Sequence, residues 1–386
     1  MKKKFLPFAP PTISQKEIKE VTDTLRSGWI TTGPKVKKFE QQFAKFSNCK
    51  YAVAVNSCTA ALHLALAAIG LKKDDEVIVP TMTFASTAEV VRYFNAKPVL
   101  VDVNPDTLLI DIQDIKNKIS KKTKAIIPVH YGGQACDIDE IIKIARQHNI
   151  RVIWDAAHAL PTKYKGKIIN SFPDITCFSF YVTKPITTGE GGMAVTNNKK
   201  WAEKMQILSL HGINKDAWKR YSAEGSWYYE IVAPGFKYNL TDIAASLGIV
   251  QLGKMNQFYQ KRKKIAKSYN QAFKNIPHIN IPIIKKYGTN AWHLYPIQLN
   301  LKKLKINRNE FIEELKKRKI GCSVHFIPLH IHPYYRKKYK HKAKNFPNAY
   351  NAYKKIISLP IYPKMTEKDI KDVIWAVKDI VKKYKK

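Results

Sequence analysis

Apolar residues along the chain recur at two different spacings, and the changes of spacing divide it into elements. Short apolar runs at 51–55 (Tyr-Ala-Val-Ala-Val), 76–79, 98–101, 125–128, 151–154 and 175–180 read as strands. Between them the spacing lengthens, and helices are predicted at 60–69, from Thr81 onward to Phe94, at 111–119 and at 137–148. Two helices precede the first strand. Residues 14–25 have Ser14 as cap and Ile18, Val21 and Leu25 at helical spacing, and 36–46 comes after the loop Gly28 to Pro34. Strand–helix alternation at this pitch predicts an α/β fold, a mostly parallel sheet with helices on both faces.

Past Thr196 the pattern changes. A helix at 201–209 leads into a polar, aromatic loop ending at Tyr229. An amphipathic helix then begins at Thr241 or Asp242, with Leu247, Val250, Leu252 and Met255 as its apolar stripe. This helix is the expected bridge to a second unit: strand 292–299, helix 308–317, strand 323–327 and helix 367–382. The division predicted is an N-terminal arm and large domain over 1–253 and a smaller α+β domain over 254–386. No internal repeat or long low-complexity tract interrupts it.

Composition narrows the function classes. A chain of 386 residues with 45% hydrophobic and 11% aromatic content has enough material for such a core. Its longest apolar runs are too short to span a bilayer, and prolines at 7, 10 and 11 replace the apolar core of a signal peptide. Five scattered cysteines suit a reducing cytoplasm rather than a disulfide framework or a metal site. The formal charge of +37 raises nucleic acid or an anionic membrane as partner. Yet lysine far outnumbers arginine, the lysines are spread along the chain, and no aromatic–basic module accompanies them, so an anionic small substrate is expected instead.

Candidate chemistry gathers just past strand ends, at Cys58, Phe84, Asp155 and Lys184, where ligands of open α/β sheets bind. Lys184 stands among apolar residues and hydroxyls before a glycine-dense turn. A poorly hydrated lysine loses proton affinity, and its neutral amine attacks carbonyls. The competing reading is an ordinary strand-end lysine. Small hydroxyl residues where strand 51–55 meets its helix make either an anion site or a plain cap by Ser57 or Thr59. Asp155 is either a functional carboxylate or a cap for the turn after it, and His158 either a catalyst or a core histidine.

Taken in order, several windows carry a resemblance: 27–34 (Ser-Gly-Trp-Ile-Thr-Thr-Gly-Pro), 59–62 (Thr-Ala-Ala-Leu), 155–159 (Asp-Ala-Ala-His-Ala), 179–192 around Lys184, 237–242 (Lys-Tyr-Asn-Leu-Thr-Asp) and 324–330 (Val-His-Phe-Ile-Pro-Leu-His). Together they resemble the PLP-dependent sugar-nucleotide aminotransferases of fold type I, most closely the branch aminating C4 of UDP-linked 4-keto sugars such as the precursor of UDP-4-amino-4-deoxyarabinose. The resemblance implies that Lys184 carries pyridoxal phosphate as a Schiff base and shuttles the substrate proton. It implies that Asp155 faces the pyridine nitrogen, His158 the phenolic oxygen side and Phe84 the ring face. Ser179, Thr59 and the backbone at Cys58 and Thr59 would hold the phosphate, with Asn239 reaching it from a second subunit of a homodimer with shared sites. Trp29, Thr31, Thr32, His325 and His330 would line the sugar-nucleotide pocket. L-glutamate would be the donor, PLP and PMP the cofactor states, and no metal is implied. The pattern departs at Cys58 (usually Gly or Ala), Pro185 (usually Asn) and Trp154 (usually acidic). The dehydratase branch carries His where Lys184 stands. Amination at C3 or of an aminocyclitol ketone is the alternative chemistry, and a non-catalytic basic binding or sensory protein on the same fold the alternative class.

Overall fold

The computed structural model describes residues 4–172, 174–214 and 228–386; the loop expected ahead of Tyr228 lies largely outside them. Helices α1 (Gln15–Arg26) and α2 (Pro34–Ser47) precede β1 (Tyr51–Val55) and α3 (Cys58–Ala68). The chain then forms β2 (Glu76–Pro80), β3 (Lys97–Val101), β4 (Thr123–Ile126), β5 (Arg151–Asp155), a hairpin of β6 (Lys163–Tyr164) and β7 (Lys167–Ile168), β8 (Ile175–Ser179) and β9 (Gly192–Thr196). Seven strands make the large sheet in the order β1-β9-β8-β5-β4-β2-β3. Parallel pairing joins β3, β2, β4, β5 and β8, while β9 lies antiparallel between β8 and β1.

The strands are apolar because both of their faces are covered. In β5, Val152, Ile153 and Trp154 are all buried, as are Val77, Ile78 and Val79 in β2. Six strands run the same way, so the ends of β1, β2, β5 and β8 share one edge with the start of β9. Strand β9 was not expected from the sequence. It pairs Gly192 with both Val55 and Ser179, and a Cβ on Gly192 would stand 2.4 Å from the Ser57 carbonyl, so glycine lets the strand pass under the start of α3.

The expected bridging helix is two helices, Asp242–Gly253 and Met255–Phe273, meeting at Lys254. The first of them buries Asp242, Ala245, Ser246, Gly248, Gln251 and Leu252; of the expected stripe, Leu252 and Met255 are buried, whereas Leu247 and Val250 stay half-buried. A second apolar cluster, including Tyr269, Phe273, Tyr295, Phe311, Ile357, Val373 and Val377, forms beyond it and also takes in Leu6 from the N-terminal arm. It is built on the antiparallel sheet β10 (Ile279–Asn280), β11 (Tyr295–Leu299), β12 (Ile356–Leu359). The large core in turn draws in Leu294, Leu329, Phe346 and Ile356, so packing crosses the expected boundary at 253/254.

The strand expected at 323–327 is not one. Only Ser323 pairs, with Ser358; beyond it the His325 ring bonds the Ser358 hydroxyl (2.9 Å) and the Tyr131 hydroxyl donates to the His325 carbonyl (2.5 Å). Side-chain ties replace the ladder there and carry His325 and Phe326 toward the edge of the large sheet.

Candidate active site

Lys184 sits in a loop closed at its neck. Phe180 N–H donates to the Gly191 carbonyl (2.8 Å) and Thr188 N–H to the Phe180 carbonyl (3.0 Å). The Phe180 ring anchors this loop against Phe39 and Phe43 of α2. Pro185, Ile186, Thr187 and Thr188 are buried, which leaves Lys184 half-buried at the tip of the turn. Burial pulls its ammonium down to about 8 against the opposing pull of Cys58 and Asp155.

Asp155 ends β5 and is 4% exposed. Its Oδ2 accepts from the Thr87 hydroxyl (2.9 Å), which is bonded in turn to the Thr83 hydroxyl (2.8 Å), and Oδ1 accepts from Ala157 N–H (3.1 Å). Burial still raises its pKa above the usual carboxylate value; these donors and the Lys184 charge only partly oppose it. The carboxylate is under-compensated. One turn on, His158 is buried and its Nδ1 accepts from Gly132 N–H (3.3 Å), so the neutral ring carries its proton on Nε2. Its ring packs on Phe326 (centroids 5.8 Å apart, nearly parallel) and on His293 (4.4 Å). Burial, then the Lys184 and His325 charges, holds its pKa well below the ordinary value. His325 is lowered to about 4 by burial and by Lys184.

Cys58 opens α3, whose cap is Ser57, its side chain accepting from Ala60 N–H (3.0 Å). Nothing among the described residues accepts from the N–H groups of Cys58 or Thr59. The cap is present, and it leaves room for the other reading: Ser57 takes one helix-end donor and leaves two. The Cys58 thiol is pushed well above its usual value by burial, then by Asp155 and Cys177, so it is neutral. Ser179 ends β8, where its hydroxyl accepts from Tyr181 N–H (3.3 Å). Phe84 is 62% exposed, a large aromatic face open beside Phe326 (6.2 Å).

The other expected residues lie elsewhere. Trp29, Thr31, Thr32 and Asn239 line a cleft of ≈ 850 Å³ with Lys37, His211 and Lys237. The Asn239 amide donates to the Thr32 hydroxyl (2.6 Å), which donates to the Leu240 carbonyl (2.5 Å). Asp242 caps α2 through Val36 N–H (2.9 Å) and Lys35 N–H (3.0 Å), pinning the loop to this segment. Asn239 pairs with Val55, Val55 with Gly192 and Gly192 with Ser179, which sets it three strand spacings, roughly 14 Å, from Ser179. His330 is fully buried, bonded to the Thr81 hydroxyl (2.8 Å) and packed on Phe346. The structure also brings His293 and Arg262 close to His158, residues that the sequence did not single out because a lone histidine in an expected strand and an arginine within a lysine-rich helix give no sequence signal.

The residues at the sheet edge fit pyridoxal phosphate. A desolvated amine, a buried carboxylate short of positive partners, free N–H groups at a helix start and an open aromatic face match its aldehyde, ring nitrogen, phosphate and ring plane. Comparison with known proteins agrees. Residues 11–378 match the model of the DegT/DnrJ/EryC1/StrS aminotransferase family. The chain is 56% identical over 381 residues to the uncharacterized protein MJ1066 of Methanocaldococcus jannaschii, covering 99% of each. It is 50% identical to the spore coat polysaccharide biosynthesis protein SpsC of Bacillus subtilis, over 98% of this chain and 97% of that one. Among solved structures, Spr1654 of Streptococcus pneumoniae, named as a sugar aminotransferase and solved in its PMP form, superposes with a TM-score of 0.91 at 36% identity over 98% of both chains. The chain belongs to the DegT/DnrJ/EryC1/StrS aminotransferase family and is a pyridoxal-phosphate-dependent aminotransferase.

Proposed function

We propose that the protein moves the amino group of L-glutamate to the keto carbon, at C4, of a nucleotide-linked keto sugar that feeds a surface polysaccharide or lipopolysaccharide. The observation that carries this reading is Lys184, a desolvated amine beside the under-compensated Asp155 at one sheet edge. Bound pyridoxal phosphate supplies the electron sink that makes the donor's α-proton acidic. Lys184 Nζ, free once the donor has taken its place, would take up that proton and give it back, serving first as base and then as acid. Asp155 would hold a proton on the heterocyclic nitrogen, and His158 would offer Nε2–H to the phenolic oxygen. The Ser179 hydroxyl and the N–H groups of Cys58 and Thr59 would hold the phosphate, and Phe84 would cover the ring. A second half-reaction delivers the nitrogen to the sugar. The SpsC likeness supports a polysaccharide destination, and the excess of lysine favours a diphosphate-bearing substrate.

The site is completed by a second copy of the chain. Trp29, Thr31, Thr32 and Asn239 are held together yet across the sheet from Ser179. Beside them Ile18, Leu25 and Ile30 are 51%, 52% and 49% exposed, an apolar face on and after α1 for a partner to cover. To test the reading, the cofactor-loaded protein is mixed with L-glutamate and its absorbance monitored. Loss of the Schiff-base band is expected, with 2-oxoglutarate released. The aminated enzyme is then offered UDP-, dTDP- and GDP-linked keto sugars and the products assigned by NMR. An unchanged spectrum with glutamate sinks the transfer, and a C3 amine as product replaces the C4 assignment.

A further inference from the structure

Next to His158 the chain buries two groups that the transfer above leaves unused. His293 is 5% exposed, and its Nδ1 is closed off from solvent without a hydrogen-bond partner. Arg262, on the helix Met255–Phe273, is 3% exposed; Nη1 donates to the carbonyls of Trp292 (3.2 Å) and Ile361 (2.6 Å), and Nε has no acceptor. The Trp292 carbonyl belongs to the peptide that leads into His293. Among the described residues no carboxylate pairs with Arg262. A buried cation without a counter-ion is unfavourable, and two backbone carbonyls offset that only in part.

The titratable groups that act on His293 come from four separate segments and are all basic: His158 from the turn after β5, Lys184 from the turn after β8, Arg262 from the long helix and His325 from the segment beyond Ser323; with both histidines neutral at pH 7, the standing charges are those of Lys184 and Arg262. With burial, they hold the His293 imidazole well below its ordinary pKa. His130 and His330 also bury an idle nitrogen, so what sets His293 apart is its idle nitrogen together with the uncompensated Arg262 behind it. An anion resolves both, since it accepts from the imidazole and supplies the charge that this cluster of basic groups lacks.

We propose that His293, backed by Arg262, receives a carboxylate of the amino-acid donor and is a further substrate-binding residue. The proposal rests on the aminotransferase reading, because the donor's place beside Lys184 is what brings its carboxylate within reach. Docking draws a proton onto His293, so the dicarboxylate binds more tightly as the pH falls and takes up a proton as it binds. No bond is made or broken in this step.

The probe is glutarate, a five-carbon dicarboxylate with no amino group to react. It is titrated calorimetrically into the cofactor-loaded protein, in buffers of different ionisation heat, for the wild type and for His293→Phe and His293→Gln. Binding of glutarate with proton uptake is expected in the wild type, weakened about 10- to 100-fold in His293→Phe and less in His293→Gln. Should His293→Phe not fold, the wild type decides by itself, because glutarate should shift the ring resonances of His293. Unshifted resonances, no glutarate binding, or His293→Phe binding within twofold of wild type overturns the proposal. Displacement of glutarate by UDP assigns the pocket to the nucleotide and overturns it too. A wild type that reacts with L-glutamate keeps the aminotransferase reading whichever way glutarate behaves.

Discussion

Two buried carboxylates show what separates a structural charge from one set aside for chemistry. Glu17 on α1 is fully buried, and donors saturate both of its oxygens. Lys254 Nζ (2.6 and 2.7 Å), the Ser14 hydroxyl (2.6 Å) and N–H (2.9 Å), and the Gln251 amide (2.7 Å) all point at it. Burial pushes its pKa up, and those donors overcome it and bring it down to about 2. Asp155 is buried to a similar degree, yet has one hydroxyl and one N–H, and its pKa ends above the usual value. The same burial thus produces opposite shifts, decided by how many donors the chain supplies. Where the chain completes the set the carboxylate fixes helices, and where it stops short it leaves a place that a ligand would complete.

The largest effect expected is at Lys184, the amine facing the incomplete carboxylate. Lys184→Met should lower turnover by about 10³-fold or more, since the Schiff base and the proton shuttle both need Nζ. It should also stabilise the cofactor-free chain. The fall from 10.5 to about 8 corresponds to roughly 3 kcal/mol held against folding at neutral pH. The unfolded chain keeps this proton up to 10.5 while the folded chain releases it near 8, so wild-type stability climbs between those pH values and the variant's does not. Denaturant unfolding across that range, beside turnover, checks both. A variant that loses stability would dissolve the contrast between the two regions.

At Glu17 the sign reverses. Glu17→Gln should cost about 3 kcal/mol at pH 7, from the interval between 4.5 and about 2. A depressed carboxylate contributes its full share above 4.5 and loses it as the pH falls through 2, so wild type and variant should converge toward that limit. Activity per folded molecule should stay the same, because Glu17 lies outside the sheet edge. Equal unfolding midpoints at pH 7 would remove the structural half of the contrast.

Much of this arrangement was legible in the sequence because interior strands are buried on both faces. Runs such as Val152-Ile153-Trp154 announce themselves, and the residues just beyond strand ends, Asp155 and Lys184 among them, fall on one edge by topology. Strand β9 escaped notice because it enters from a glycine turn, with no helix before it, and runs against its neighbours. The stripe Ile18, Val21, Leu25 has helical spacing, yet Glu17 and Thr24 are the residues buried in the chain, so the pattern reports a face and not what covers it. His330 and His325 look alike in sequence, and only the Thr81 and Ser358 hydroxyls tell which is core and which approaches the site. Arg262 and His293 become visible through a missing partner, which no spacing encodes.

The smallest effect sharpens the comparison at its own carboxylate. Thr87 is fully buried, so its donation to Asp155 Oδ2 cannot be replaced by water. Thr87→Val keeps the shape and removes that donor, together with the Thr83 bond behind it. The expected cost is about 1–2 kcal/mol in the cofactor-free chain at neutral pH. Asp155, already raised, should rise further. A raised carboxylate binds its proton more tightly folded than unfolded, so stability falls as pH climbs from the unfolded value to the folded one, and the variant should stretch that fall to higher pH. On the proposed assignment, a protonated ring nitrogen of the bound cofactor would supply the charge that the hydroxyl only supplemented, and the cost should shrink. Measuring the penalty with and without pyridoxal phosphate separates the two: a cost that stays constant would mean that nothing bound at the edge compensates Asp155, and that its shortage of donors is structural after all.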